Sequence, residues 1–238
     1  MEFNAKNINN LTGLWKEMGT QSDSINCLYV SAGWPNRCWF DWETNAETIV
    51  AMPKYFSHLD QGFIVPVWDE QISPVFEAIL MDSGFEFSFQ QTAMYLNLEN
   101  YNEPHHNHVI VSVVSIEQEI EVWTNIATQS FEYEIDVSVI KQIADVANVQ
   151  LLLTYVDTQP VATAILYKTG DIIGVHQFGV IKEYRSRGIA RRLMQYIIKQ
   201  CKQQGNTYIM LQASEAGEHL YRNLGFKPQF TIQNFQKM

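Results

Sequence analysis

In the second half of the chain, short apolar runs alternate with segments whose apolar residues recur every three or four positions. Val109 to Val114 is a short apolar run and predicts a strand. Glu117 to Thr128 is acidic at its start and carries a Trp at helical spacing, which predicts a helix. Asp136 is placed to cap a second helix running to about Ala147. Leu151 to Val156 and Val161 to Tyr167 read as paired strands across the turn Asp157-Thr158-Gln159-Pro160, and Ile172 to Ile181 follows as a third after Thr169-Gly170-Asp171. From Gly188 to Gln204 the residues Ile189, Leu193, Ile197 and Cys201 fall on one helical stripe that ends near Gly205. Tyr208 to Leu211 predicts a strand, Gly217 to Leu224 a short helix and Phe226 to Phe235 a closing strand. This order predicts an α/β domain built on a mixed sheet.

Residues 99–108 are polar, hold no apolar run and include Pro104, so they predict a linker between a first unit, 1–104, and a second, 105–238. His105, His106 and His108 lie in that stretch, but no matching ligand pattern follows, and a solvated linker is expected rather than a metal site.

At 238 residues the chain can bury one large core or two modest ones, and 46% hydrophobic with 18% charged residues excludes a disordered protein. No run approaches the length of a membrane span, and the start MEFNAKNINN lacks a basic region followed by an apolar one, so a cytoplasmic protein is expected. Cys27, Cys38 and Cys201 are odd in number and widely spaced, which fits reduced, structural thiols. The net charge of −10 argues against nucleic acid as a partner and suits a neutral or cationic one. Against that background, Lys182, Arg185, Arg187, Arg191 and Arg192 form a basic island.

The island sits where chemistry is expected. Arg185-Ser186-Arg187-Gly188-Ile189-Ala190 lies between a strand and the start of a helix. Small residues there let an anion approach the backbone, and the first N–H groups of the helix point outward with the positive end of its dipole. A diphosphate fits such a place; the competing reading is a solvated basic helix start.

The run Arg185 to Ala190 resembles the Arg/Gln-x-x-Gly-x-Gly/Ala signature of the GNAT superfamily of N-acetyltransferases. A second stretch, Leu211 to Phe226, resembles that family's strand-loop-helix ending in Tyr-x-x-Leu-Gly-Phe, here Tyr221 to Phe226. The resemblance spans about residue 109 to the end. It implies acetyl-CoA as cofactor and a small-molecule or peptide amine as substrate. The backbone of Phe178, Gly179 and Val180 would bind the pantetheine arm, and the N–H groups of Arg185, Ser186, Arg187, Gly188, Ile189, Ala190 and Arg191 would bind the pyrophosphate. Ser214 would lie beside the arm where two central strands splay, and Tyr221 would protonate the departing thiolate. A strand N–H would stabilise the oxyanion. No residue is clearly the base: His176 is the candidate on the same strand, with Glu215, Glu218 or a relaying water as alternatives.

In the first half, Phe76 to Phe85 followed by Met94 to Leu98 repeats the ending of the second. Aligning Gly84-Phe85 on Gly225-Phe226 puts Leu80 where Tyr221 stands. The fold expected is therefore α/β (α+β): two GNAT-like domains, each a mixed, mostly antiparallel sheet flanked by helices, the first degenerate and shaping the acceptor cleft. Ser31 to Phe40 is an aromatic loop that either borders the site or supplies core aromatics. A non-catalytic acyl-CoA sensor and a purely structural tandem are the competing functions, and a monomer or homodimer is expected.

Overall fold

The computed structural model describes residues 2–23, 28–40, 53–68, 73–99, 101 and 109–238. The expected linker, apart from Glu99 and Tyr101, lies outside the described residues, as do its histidines and Cys27. Helix α1, Glu2–Glu17, opens the chain: Ile8, Leu11, Leu14 and Trp15 share one buried stripe, with Glu2 and Lys16 matching the helix dipole at either end. Strands β1 (Thr20–Asp23), β2 (Leu28–Ser31) and β3 (Cys38–Phe40) form a small antiparallel sheet. Then follow β4 (Ile64–Trp68), helix α2 (Pro74–Asp82) and the thirteen-residue strand β5 (Phe85–Asn97). Ser73 caps α2 by accepting from the Phe76 N–H, and Pro74 occupies the first turn, where no N–H is needed.

The second half runs β6 (Ile110–Val113), α3 (Glu117–Phe131), α4 (Val137–Ala144), β7 (Val149–Val156), β8 (Gln159–Thr169), β9 (Ile172–Val180), a 3-10 turn at Lys182–Tyr184, α5 (Ile189–Gln203), β10 (Tyr208–Ser214), α6 (Glu215–Asn223) and β11 (Lys227–Lys237). Every predicted element of this half is present, and Asp136 caps α4 by accepting from the Ser138 N–H. Several strands run longer than their apolar runs. The alternation alone misses polar residues that a neighbouring strand pairs, such as Ser214 opposite Gln91. α6 starts at Glu215 rather than Gly217 because Ser214 caps it.

Eight strands form one sheet in the order β4-β11-β5-β10-β9-β8-β7-β6, antiparallel except for β9 and β10, which are parallel and joined by the crossover helix α5. β5 thus lies between β10 and β11. The boundary expected near residue 104 does not divide two sheets, because a strand from before it sits inside the sheet made from after it. Two apolar clusters remain distinguishable. The larger joins α1 to both faces of the second half, and a smaller one gathers Leu28, Cys38, Phe40, Phe56, Phe76, Leu80, Phe85 and Phe235. Leu80, aligned with Tyr221 by sequence, is an apolar core residue here. Helix α2, left-handed Gly84 and β5 do match helix α6, left-handed Gly225 and β11 in kind, and β5 and β11 pair with each other.

Three features of β9 shape the site. Its pairing with β10 covers only Ile172 to Gly174, after which the strands part. Its register against β8 slips between Thr163 and Ile165, opposite Gln177, whose φ is +43°. Finally, α1 crosses β9 so closely at Gly174 that a Cβ there would overlap the Asn10 amide, and the end of α3 approaches Gly179, where a Cβ would lie 2.8 Å from the Ser130 Cβ. No described helix is long and apolar enough to cross a membrane.

Candidate active site

The basic loop ends in a helix without a cap. Ser186 and Gly188 both have left-handed backbone, at φ +61° and +74°, turning the chain into a concave nest ahead of α5. Arg192 is the first residue of α5 whose N–H reaches a helical acceptor, the Gly188 carbonyl at 3.1 Å, so those of Ile189, Ala190 and Arg191 project forward. No side chain caps Gly188, and the first turn has no acid. Arg187 lies with its guanidinium 4.8 Å from the Tyr184 ring centroid, and Arg191 reaches the Asn223 carbonyl. No arginine of the loop pairs with a carboxylate of the described residues. Arg185 is different. Its N–H bonds the Lys182 carbonyl, and its side chain donates to the Val180 carbonyl at 3.0 Å and the Ser130 carbonyl at 2.7 Å. It anchors the loop to β9 and to the C-terminus of α3, so its N–H is not free for an anion and its guanidinium is turned toward those carbonyls.

The free edge of β9 lies next to the loop. Ile181 donates to the Val161 carbonyl, and Thr163 stands opposite Gly179. By the alternation of an antiparallel ladder, Phe178 and Val180 turn their backbone groups toward the side that β10 has left, while Gly179 faces β8. Two of the three expected backbone binders thus face the cleft, and Gly179 instead gives α3 room.

Tyr221 projects from α6 into this cleft. Its ring packs against Phe178, with centroids 6.1 Å apart, and edge-on against Phe226 at 5.6 Å. Gly217, one turn earlier, leaves space for it, since a Cβ there would lie 3.2 Å from the ring. Burial raises the Tyr221 pKa above that of a free phenol, and its hydroxyl has no hydrogen-bond partner among the described residues. Ser214 accepts from the Gly217 N–H at 3.2 Å and keeps its own O–H to donate. Glu218 is held by Thr92 and Arg222, which keep it below the usual carboxylate range; it anchors α6 to β5.

A cavity of about 600 Å³ opens beside Tyr221, lined by Phe178, Gln177, His176, Ser214, Gln91 and Asn234 on the sheet and by Trp34, Pro35, Asn36 and Arg37 from the first half. The aromatic loop divides its duties. Trp34 to Arg37 borders the cavity, and Cys38, Trp39 and Phe40 are core. His176 is 8% exposed and its Nε2 lies 2.9 Å from Asn10 Oδ1. The Asn10 amide nitrogen donates to the Tyr167 carbonyl and the Thr169 hydroxyl, so its oxygen faces the imidazole, which donates through Nε2. Desolvation pushes the His176 pKa down to about 4, opposed by a hydrogen bond with Gln212. The ring is neutral near pH 7, which removes the titration range that suggested it as a base. A parallel amide relay, Gln212 to Asn7 and Asn7 to the Met94 carbonyl, ties α1 to β10 and β5.

Among the described residues no group of His, Cys, Asp and Glu can hold a metal ion. Cys38 and Cys201 are free and buried; burial raises both thiols, Cys201 to about 12. Arg37, Tyr133 and Gln177 are the cavity residues that sequence reasoning did not single out as chemistry. They meet across more than 130 positions of chain, and no local spacing signals them.

Residues 115–226 match the model of the acetyltransferase (GNAT) family. Among solved structures, a GCN5-related N-acetyltransferase from Kribbella flavida superposes with a TM-score of 0.69 at 20% identity, over 98% of this chain and 93% of that one. A conserved protein of unknown function from Staphylococcus epidermidis gives 0.66 at 15% identity, over 91% and 92%. A GCN5-related N-acetyltransferase from Sphaerobacter thermophilus gives 0.63 at 14%, over 89% and 76%. At these identities they share the fold. No curated protein matches the sequence.

Proposed function

The chain belongs, through residues 115–226, to the GNAT acetyltransferase family, and we propose from that premise that it transfers an acetyl group from acetyl-CoA to an amine held in the cavity. The observation that carries the proposal is one continuous path: an uncapped, acid-free helix N-terminus, an unpaired strand edge and an unpartnered, protonated Tyr221 hydroxyl follow one another around the cleft.

The residues fit the cofactor. The N–H groups of Ser186 to Arg191 hold the pyrophosphate, with Arg187, Arg191 and Arg192 supplying charge and Arg185 fixing the loop. Phe178 and Val180 bind the amide arm through their backbone, and the Ser214 hydroxyl lies alongside. When bound, acetyl-CoA supplies an activated acyl carbon and a thiol leaving group. The Phe178 N–H donates to the carbonyl oxygen as it gains charge. Tyr221 keeps its proton through the neutral range because burial disfavours the phenolate; it would give that proton to the departing sulfur and recover one from solvent through the open cavity. His176, neutral and fixed by Asn10, positions the acceptor rather than taking its proton. The amine enters in its neutral form and sheds its second proton to solvent in the open cavity.

Thiol release from acetyl-CoA tests the reading. Tyr221→Phe is expected to lower turnover about 10²-fold while changing CoA affinity little. An unchanged rate with a working acceptor removes Tyr221 as the acid.

A further inference from the structure

Within the cavity the charges are unequal. Among the described residues its lining holds one permanent cation, Arg37, and one carboxylate, Glu134, on the exposed margin. Arg37 is partly buried and donates from Nη1 to the Pro35 carbonyl at 2.9 Å, and most of its five N–H donors have no acceptor among the described residues. No carboxylate of the described residues pairs with it. Tyr133, a neutral phenol near pH 7, acts on it electrostatically, and the Trp15 ring centroid lies 6.0 Å from its Cζ. Desolvation lowers its pKa to about 10, opposed in part by Tyr133, so it stays cationic near pH 7.

The backbone that carries Arg37 is held in place, and the Nη1 bond to Pro35 ties the side chain back to it. The Arg37 N–H bonds the Ser31 hydroxyl, the Ser31 N–H bonds the Arg37 carbonyl, and the Ile64 N–H bonds the Asn36 carbonyl. From Arg37, Tyr133 leads to the acyl-transfer strand: its hydroxyl lies 3.2 Å from Gln177 Oε1, and Gln177 adjoins Phe178. A guanidinium fixed in a cavity with donors to spare is complementary to a planar, two-oxygen anion.

We propose that the acceptor of this protein is an amine that also carries a carboxylate, an amino-acid-like molecule whose carboxylate is bound by Arg37. The inference rests on the acetyl-transfer reading for its amine, but the carboxylate site stands on Arg37 itself. The aromatic walls at Trp34, Phe89 and Tyr133 favour an apolar side group on the same molecule. The protein's negative net charge points toward cationic ligands; the local cation prevails because screening fades the distant charges within about 10 Å, while Arg37 acts at contact.

The test is a matched series on the intact protein: the proteinogenic amino acids, each with its carboxamide, assayed by acetyl-CoA thiol release and, independently, by thermal shift with the N-acetylated acids and N-acetylated amides in the presence of CoA. At least one acid is expected to have a KM about tenfold or more below that of its amide, and its N-acetylated form to raise Tm where the amide does not. Arg37→Gln should bring acid and amide within about twofold, and Arg37→Lys should restore part of the difference. Should Arg37→Gln fail to fold, the acid–amide contrast on the wild-type protein still decides. Amides or polyamines used as well as every acid, or no acid stabilising the protein above its amide, overturn the proposal. Thermal discrimination without any thiol release sinks the acetyl-transfer reading and leaves the carboxylate site.

Discussion

Burial acts on His176 and Tyr221 in opposite directions and leaves both neutral: it lowers the imidazole to about 4 and raises the phenol. The histidine has a measurable consequence. Its folded pKa lies below the ordinary value of 6.5, so between those values the unfolded chain binds a proton that the folded one refuses. Stability from this group is present above about pH 6.5 and is lost as pH falls toward 4, by up to about 3 kcal/mol. Denaturant unfolding at pH 7 and pH 4.5 should show His176→Gln losing less stability on acidification than the wild type; equal losses would show that the ring is not desolvated. Gly174→Ala should lower Tm by several degrees or prevent folding, since its Cβ would displace the Asn10 amide that holds His176. At this scale the sequence was readable where chemistry is local. Tyr221 and Ser186 to Ala190 belong to contiguous motifs, whereas Arg37 is an ordinary arginine until the fold brings Tyr133 beside it.

Helix α5 and helix α1 show what a pattern can and cannot signal. The stripe of Ile189, Leu193, Ile197 and Cys201 is apolar and predicts its helix within a residue. α1 carries an equally regular stripe, but Asn7 and Asn10 on its buried side are 0% and 2% exposed and look like surface residues in sequence. They are buried because each finds amide or carbonyl partners on strands more than 80 positions away. Cofactor affinity belongs to α5. Arg187→Glu combined with Gly188→Glu should abolish CoA binding, because it puts two negative charges at the positive end of the helix and a side chain at a left-handed position. Undiminished binding by calorimetry would refute the loop as the phosphate site.

Across the whole molecule, the two halves are interleaved rather than strung together. β5 pairs with β10 and β11, and α1 lies over Gly174 and Tyr167. A fragment of residues 105–238 therefore lacks a strand from the middle of its sheet and the helix over its core. It is expected to be soluble only as a poorly folded species, with no cooperative thermal transition; a sharp transition with retained CoA binding would restore the second half as an independent unit. Sequence pattern placed the boundary by local polarity, and polarity says nothing about which strands become neighbours. Calorimetric titration of the intact protein with acetyl-CoA and desulfo-CoA reads out the cofactor site itself. Micromolar binding of both is expected, lost in the Arg187→Glu, Gly188→Glu variant; absence of binding to the folded wild-type protein would rule out the cleft as a coenzyme A site.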